Sequence, residues 1–184
     1  MPLISELERA FLLKADSAEA QRKSAYMRDL FPFFGLPTPL RRAVQKPFFK
    51  AYPIQNEGQL KPLLNELWGK EQREFQYAAL DLAASTRTLS SPVSLELYEL
   101  LIRNKSWWDT VDDIAANLVG PLVLNHPKLI EVMDHWIHDE NLWIRRTALI
   151  FQLKWKSRTD TTRLFSYCSM LMHERDFFIR KAIG

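Results

Sequence analysis

The chain has 184 residues and a formal net charge of +3; 47% of its residues are hydrophobic, 5 are glycine and 10 are proline. This composition excludes a disordered or collagen-like protein and is typical of an ordered globular one with a sizeable core. A single cysteine excludes an internal disulfide, and no apolar run reaches the roughly 18 residues of a membrane-spanning helix. Residues 1–20 contain acidic side chains, unlike a secretory signal, so we expect a cytoplasmic protein.

Apolar residues recur at steps of three and four along the chain, which places them on one face of a helix. In chain order, such stripes run through Leu63–Trp68, through Leu95–Leu101, and then through Trp107, Val111, Ile114 and Leu118. Ser106, with Asp109 three residues later, predicts a capping box at the start of this third helix. No segment shows the sustained alternation of a strand, and no linker is long enough to divide the chain. The sequence therefore predicts an all-α protein with a single domain over residues 1–184.

Bulky aromatic residues recur at a nearly constant interval, each just inside the start of a predicted helix. They are separated by 33, 35 and 35 residues, at Phe75, Trp108, Trp143 and Phe178. A period of this length is typical of a solenoid built from two-helix repeats. The last repeat begins at Phe177 and stops after about two helical turns, without the capping element that normally ends a solenoid. We therefore expect the chain to be C-terminally truncated.

One repeat differs from the others four residues after its aromatic side chain. The positions there are small in three repeats and acidic in one, namely Ala79, Asp112, Thr147 and Ala182. Asp112 shares a helix face with Trp108, and Ala115 and Ala116 continue that face with small side chains. This pattern predicts a functional carboxylate beside an aromatic wall and an open floor. The alternative interpretation is a surface acid next to a surface tryptophan.

The next repeat supplies a possible partner for Asp112. Arg146 lies three residues after Trp143, one position away from the register of Asp112. Stacked helices of a solenoid run nearly parallel, so both side chains can reach a common groove. A guanidinium there suits a phosphate, because its planar fork donates paired hydrogen bonds to two oxygens. The alternative is a structural Asp112–Arg146 salt bridge, worth about 0–1 kcal/mol if exposed.

Basic residues are concentrated toward the C-terminus. Residues 141–184 hold nine Lys or Arg against three acids, a net charge of +6, whereas residues 1–140 carry −3. This asymmetry favours a polyanionic ligand, although a solvated helical surface is the alternative. The candidate contacts to nucleic acid are Arg145, Arg146, Lys154, Arg180 and Lys181.

The histidines and Cys168 have no zinc-site spacing and there is no glycine-rich phosphate loop, so we expect neither metal nor cofactor.

Several ordered motifs resemble one known family. They are SWWDTVD at Ser106–Asp112, NLWIRRTA at Asn141–Ala148 with FQLK at Phe151–Lys154, and FFIRKAIG at Phe177–Gly184. The N-terminal stretch adds Ala25–Arg28, Phe34–Pro39 and the pair Arg41 and Arg42. From about Tyr26 to its last residue, the chain resembles the AlkD family of DNA alkylation repair glycosylases. It departs from the family at Pro37, where a relative can have glutamine, and after Gly184, where the family continues with a further aromatic and basic helix.

The resemblance implies a right-handed α-solenoid of HEAT-like two-helix repeats that cups duplex DNA in a basic concave face. It implies a bacterial-type enzyme of base-excision repair, nucleoid-associated when bound to DNA, which releases N3- or N7-alkylated purines such as 3-methyladenine and 7-methylguanine. Asp112 is then the catalytic carboxylate, and the substrate is bound by Trp108, Arg146, Tyr26 and Trp143. The expected DNA contacts are Arg41, Arg42, Arg145, Lys154, Arg180 and Lys181. We expect a monomer.

The chemistry of N-glycosidic hydrolysis agrees with a single catalytic acid. The sugar gains oxocarbenium character, and a carboxylate beside it stabilises that cation and can orient the attacking water. A cationic base leaves without protonation, whereas a neutral base needs a second tuned acid, for which the sequence offers no dedicated candidate. Two other function classes stay open: a non-catalytic module that binds DNA or RNA, and a protein-interaction scaffold.

Overall fold

The computed structural model describes residues 2–184, with side chains from residue 3 onward. Within this range the chain consists of helices and connecting turns and contains no β-strand, which confirms the predicted all-α class and is compatible with a solenoid of helical repeats. None of the described helices combines the length and the apolar character that crossing a membrane requires. The chain divides into two compact units, Met1–Leu89 and Ser90–Gly184. The single domain stays a prediction.

The first unit is built from five α-helices and ends in a short 3₁₀ turn. The helices are α1 (Pro2–Leu12), α2 (Ser17–Tyr26), α3 (Thr38–Ala51), α4 (Glu57–Gly69) and α5 (Arg73–Ser85). The apolar stripe expected on α4 is buried, from Leu63 to Trp68, and packs against α5. Phe75 is also fully buried and contacts Phe11 and Phe34 at ring-centroid distances of 5.5 and 5.7 Å. Aromatic packing therefore joins α1, α5 and the loop before α3.

A buried carboxylate fixes the loop before α3. Glu74 is fully buried and accepts hydrogen bonds from the backbone N–H groups of Phe34, Gly35 and Leu36 at 3.0, 2.9 and 3.1 Å. Gly35 has a φ of +89°, and a Cβ there would lie 2.1 Å from the backbone oxygen of Asp16. In the sequence this loop stands out only as part of the Phe34–Pro39 motif of the family resemblance. Its conformation depends on an acid about forty residues further along the chain.

The second unit continues with seven α-helices and one π-helix. The α-helices are α6 (Ser94–Arg103), α7 (Trp108–Ile114), α8 (Gly120–Asn125), α9 (Ile130–Trp136), α10 (Leu142–Ile150), α11 (Thr161–Leu171) and α12 (Phe177–Ile183). Trp108, Trp143 and Phe178 occupy the first or second position of α7, α10 and α12, which confirms the predicted helix phase. The predicted capping box is wrong, because the Ser106 hydroxyl donates to the carbonyl oxygen of Ile102, and Trp107 occupies the N-cap of α7.

A π-helix over Ala115–Val119 joins α7 to α8 and was not predicted. Gly120 follows it, and a Cβ on Gly120 would lie 2.2 Å from the backbone oxygen of Phe151. The indole N–H of Trp155 donates to the carbonyl oxygen of Gly120 at 3.1 Å. The turn after α10 is therefore docked directly on the backbone at the end of the π-helix, in a space that only glycine leaves open.

We expect Gly120→Ala to lower the free energy of unfolding by about 2–3 kcal/mol, because the added methyl group overlaps backbone rather than a movable side chain. Urea unfolding of the purified variant measures this. Gly69→Ala is the matched control, since no atom lies within 4 Å of its Cβ position and alanine favours helix. Equal midpoints for Gly120→Ala and the wild type would contradict the close approach.

Candidate active site

The central feature of the second unit is a bidentate ion pair between α7 and α10. Arg146 donates from Nε to Oδ1 of Asp112 and from Nη2 to Oδ2, both at 2.7 Å. Its Nη1 donates to the carbonyl oxygen of Phe178 in α12. The Arg146 side chain is 10% exposed, whereas that of Asp112 is 33% exposed. The arginine is thus an internal clamp, and the carboxylate that it holds is open to solvent.

This geometry bears on the two interpretations of Arg146 that the sequence left open. The direct Asp112–Arg146 salt bridge is present. It is more buried than the solvent-exposed salt bridge that is the alternative expectation from the sequence. Three of the five N–H groups of the Arg146 guanidinium donate hydrogen bonds to Asp112 and to the carbonyl oxygen of Phe178. Contact between Arg146 and a phosphate or a substrate stays a prediction.

An aromatic cluster packs beside the ion pair on the same helices. Trp107, Trp143 and Phe178 contact one another at ring-centroid distances of 4.8 to 5.6 Å. Trp143 is only 9% exposed, so its body contributes to this packing rather than to an open surface. Trp107 belongs to the cluster although the repeat period selects Trp108. The sequence signal for Trp107 was its helical spacing to Val111, Ile114 and Leu118, which predicted a packed position.

The surroundings of Asp112 differ from the predicted open floor. Ala115 is fully buried and Ala116 is 4% exposed, so both pack into the core and the predicted floor is wrong. Ala115 lies four residues after Val111, which is also fully buried, so helical spacing itself places Ala115 toward the core. Trp108, four residues before Asp112, is partly exposed, as a substrate contact requires. Its role as such a contact stays a prediction.

The cations predicted to contact DNA differ in how the fold uses them. Arg145 donates to the carbonyl oxygens of Asp139 and Glu140 and to the Glu174 carboxylate, and its side chain is 16% exposed. Its charge is therefore largely compensated within the protein. Lys154 is exposed and donates from Nζ to Oδ1 of Asn117 at 2.5 Å.

The two cations of α12 lie in a more apolar setting. Arg180 and Lys181 are exposed and line an open cleft of about 420 Å³ together with Met172, Phe177 and Ile183. The structure therefore makes both ammonium and guanidinium groups accessible to an anionic ligand. Their contact with DNA stays a prediction.

Three further predicted residues belong to the first unit. Tyr26 is 70% exposed and lines a cleft of about 480 Å³ that also includes Arg41 and Arg42. Both arginines bind Asp81, Arg41 from Nη1 at 2.7 Å and Arg42 from Nη2 at 2.9 Å. The Arg41 side chain is buried, whereas that of Arg42 is 62% exposed. Of the two, Arg42 is the one that an external phosphate can reach.

Asp81 is the acid on which this cluster depends. Burial acts to raise the pKa of its carboxyl group, but hydrogen bonds and charge from Arg42 and Arg41, with a further hydrogen bond from Gln45, outweigh burial and hold the pKa below its usual range. Sequence reasoning missed Asp81, because its partners lie 36 to 40 residues earlier in the chain.

The described residues contain no group of three or more His, Cys, Asp or Glu that could hold a metal ion.

We expect Asp81→Asn to lower the free energy of unfolding by about 2 kcal/mol at neutral pH, because buried Arg41 loses its charged partner. A carboxyl group with a depressed folded-state pKa stabilises the fold above the pKa of the unfolded chain, about 3.9, and loses this effect as the pH falls through the folded-state pKa. The difference between wild type and variant should therefore shrink below about pH 4. Urea unfolding across the pH range measures it, with Glu71→Gln, an exposed acid of the same unit, as control. A difference that is constant with pH would contradict the assignment.

Comparison with known proteins relates the chain to enzymes of DNA alkylation repair. A family model described as DNA alkylation repair enzyme matches residues 7–184. A solved structure described as a predicted DNA alkylation repair enzyme from Enterococcus faecalis is similar, with 30% sequence identity and a TM-score of 0.84 over 91% of this chain and 79% of that chain. A comparison with curated proteins gave no match. Asp112 and Arg146 lie within the matched residues.

Proposed function

Since the chain belongs to the DNA alkylation repair enzyme family, we propose that it is a DNA glycosylase of base-excision repair. Its substrates are cationic N3- or N7-alkylated purines in duplex DNA, including 3-methyladenine and 7-methylguanine, and its reaction is hydrolysis of the N-glycosidic bond. The observation that supports this most directly is the solvent-open carboxylate of Asp112, held at both oxygens by the buried fork of Arg146.

Asp112 is the group that acts on the sugar. Each of its oxygens accepts one hydrogen bond from Arg146 and retains a further lone pair. These lone pairs can accept a hydrogen bond from a water molecule and orient the water oxygen toward the anomeric carbon. The carboxylate charge at the same time stabilises the oxocarbenium-like sugar as the base departs. Cleavage of the bond leaves the electron pair on the cationic base, which departs neutral. The water supplies the hydroxyl group of the new sugar, and its other proton is released to solvent.

Arg146 has two opposing electrostatic effects on this step. It fixes the direction of the carboxylate, which reduces reorganisation when charge develops. Its own positive charge, 2.7 Å from each oxygen, offsets part of the field that Asp112 exerts on the sugar. An isolated carboxylate about 4 Å from a cation at an effective dielectric near 20 interacts by about 4 kcal/mol. The stabilisation available here is smaller than that value, so the remaining rate enhancement rests on positioning.

The charge of the leaving base explains the proposed substrate range. An N3- or N7-alkylated purine is already cationic, so it departs as a neutral base without a proton donor. A neutral base would depart as an anion unless a tuned acid protonated it. In this proposal Asp112 serves as a charge stabiliser and water-orienting group, and no other residue has the role of general acid.

We expect Asp112→Asn to reduce release of 7-methylguanine from a duplex with one such lesion by less than about three decades, because the amide removes a carboxylate charge that Arg146 already partly offsets. Quantifying free base after single-turnover incubation measures this. Asp109→Asn, an acid on the same helix, is the matched control and should retain activity. If wild type and Asp112→Asn bind the duplex equally and neither releases base, the chain is a DNA-binding module instead.

We also expect selectivity for charged lesions. A duplex of the same sequence with uracil in place of 7-methylguanine should give no base release above the uncatalysed background, because uracil leaves as an anion without a proton donor. The same free-base assay measures it. Efficient uracil release would show that another residue protonates the base and would contradict the single-acid mechanism.

A further inference from the structure

The basic residues predicted to contact nucleic acid fall into three groups, one of which is Arg180 and Lys181 at the α12 cleft. Four arginines are paired with carboxylates inside the fold, namely Arg41, Arg42, Arg145 and Arg146. Lys154 instead binds a neutral amide, that of Asn117. Its charge therefore has no direct carboxylate partner among the described contacts, and an ammonium group keeps two N–H donors when one is used. Lys154 is both held in place and able to bind a further oxygen.

The amide of Asn117 connects Lys154 to an acid without neutralising it. Asn117 donates from Nδ2 to Oδ1 of Asp113, and its Oδ1 accepts from the Lys154 ammonium group. The negative charge of Asp113 fixes which end of the amide faces the lysine, because only the NH₂ group can donate to a carboxylate. The Asn117 amide thus keeps the Asp113 carboxylate from direct contact with the Lys154 ammonium group. A direct Asp113–Lys154 pair would neutralise the lysine, whereas this relay from Asp113 through Asn117 to Lys154 fixes the position of the ammonium group and leaves its charge uncompensated by a direct ion pair.

The backbone on both sides of the relay is fixed by packing. Asn117 lies in the π-helix, and Lys154 lies in the turn that docks on Gly120 through Phe151 and Trp155. Asp113 is the residue next to Asp112 on α7. The position of the Lys154 ammonium group is therefore set relative to the helix that carries Asp112.

We propose that Asn117 is a positioning residue that presents the Lys154 ammonium group to a phosphate of duplex DNA. The inference rests on the proposed function only in requiring that DNA is the ligand, and it does not depend on catalysis. Asn117 itself contacts no phosphate. It reduces the conformational entropy that a long lysine side chain loses on binding.

The experiment measures affinity for a lesion-free duplex by fluorescence anisotropy between about 50 and 200 mM salt. Lys154→Ala should reduce the slope of log K against log salt by about 0.9, the effect of one phosphate contact. Asn117→Ala should leave the slope unchanged and weaken binding about two- to tenfold, the effect of one side chain that must be ordered on binding. Asn117→Asp should weaken binding and reduce the slope as Lys154→Ala does, because a carboxylate pairs with the lysine directly.

The double variant and a matched control make the result decisive. In the Lys154→Ala background, Asn117→Ala should have no further effect, and Asn125→Ala, an exposed asparagine of the same unit, should bind as the wild type does. Additive losses in the double variant, or an unchanged affinity for Asn117→Ala, would overturn the positioning role. Absence of duplex binding by the wild type would overturn the DNA ligand, and with it the proposed function. If these binding results hold but the free-base assay detects no base release, only the proposed glycosylase activity is overturned.

Discussion

The second unit depends on one guanidinium group. Arg146 reaches Asp112 in α7 through two hydrogen bonds and Phe178 in α12 through a third, so one side chain of α10 joins three helices. Because the arginine is almost fully buried, the exposed edge of Asp112 is the outer end of an otherwise internal network. The carboxylate can face solvent with a fixed orientation only because its other edge is anchored. Stability of the unit and orientation of the candidate catalytic group thus depend on the same contact.

The first unit also contains a carboxylate held by arginine, but there the carboxylate is more enclosed. Arg41, Arg42 and Gln45 converge on Asp81 and leave it 21% exposed, with its charge balanced by two guanidinium groups. Asp112 faces a single guanidinium group and is more exposed. Asp81 thus accepts more hydrogen bonds within the fold than Asp112 does, and Asp112 leaves more of its carboxylate facing solvent.

Much of the fold could be predicted from the sequence, because helical periodicity and the recurrence of Trp108, Trp143 and Phe178 are local or regular signals. The π-helix after α7 was not predictable in this way. The open floor expected at Ala115 and Ala116 was wrong, because both side chains are buried along with Val111 and Ile114. The roles of Glu74, Asp81 and Asn117 also escaped prediction, because each depends on partners in a different helix or loop. The pairing of Asp112 with Arg146 could be anticipated, since both follow repeat aromatics, but its bidentate geometry required the structure.

Several of the contacts between elements have a sequence separation close to the length of one repeat. The bonds Arg146–Asp112, Trp155–Gly120, Lys154–Asn117 and Glu74–Phe34 span 34 to 40 residues. Each closes a loop of about one repeat, and loop-closure entropy rises only slowly with length. Within each unit, a helix pair can therefore form and then serve as the surface on which the following pair assembles. Contacts over about one repeat favour rapid folding, whereas the Phe11–Phe75 contact requires α1 and α5, which are further apart along the chain of the first unit, to be brought together.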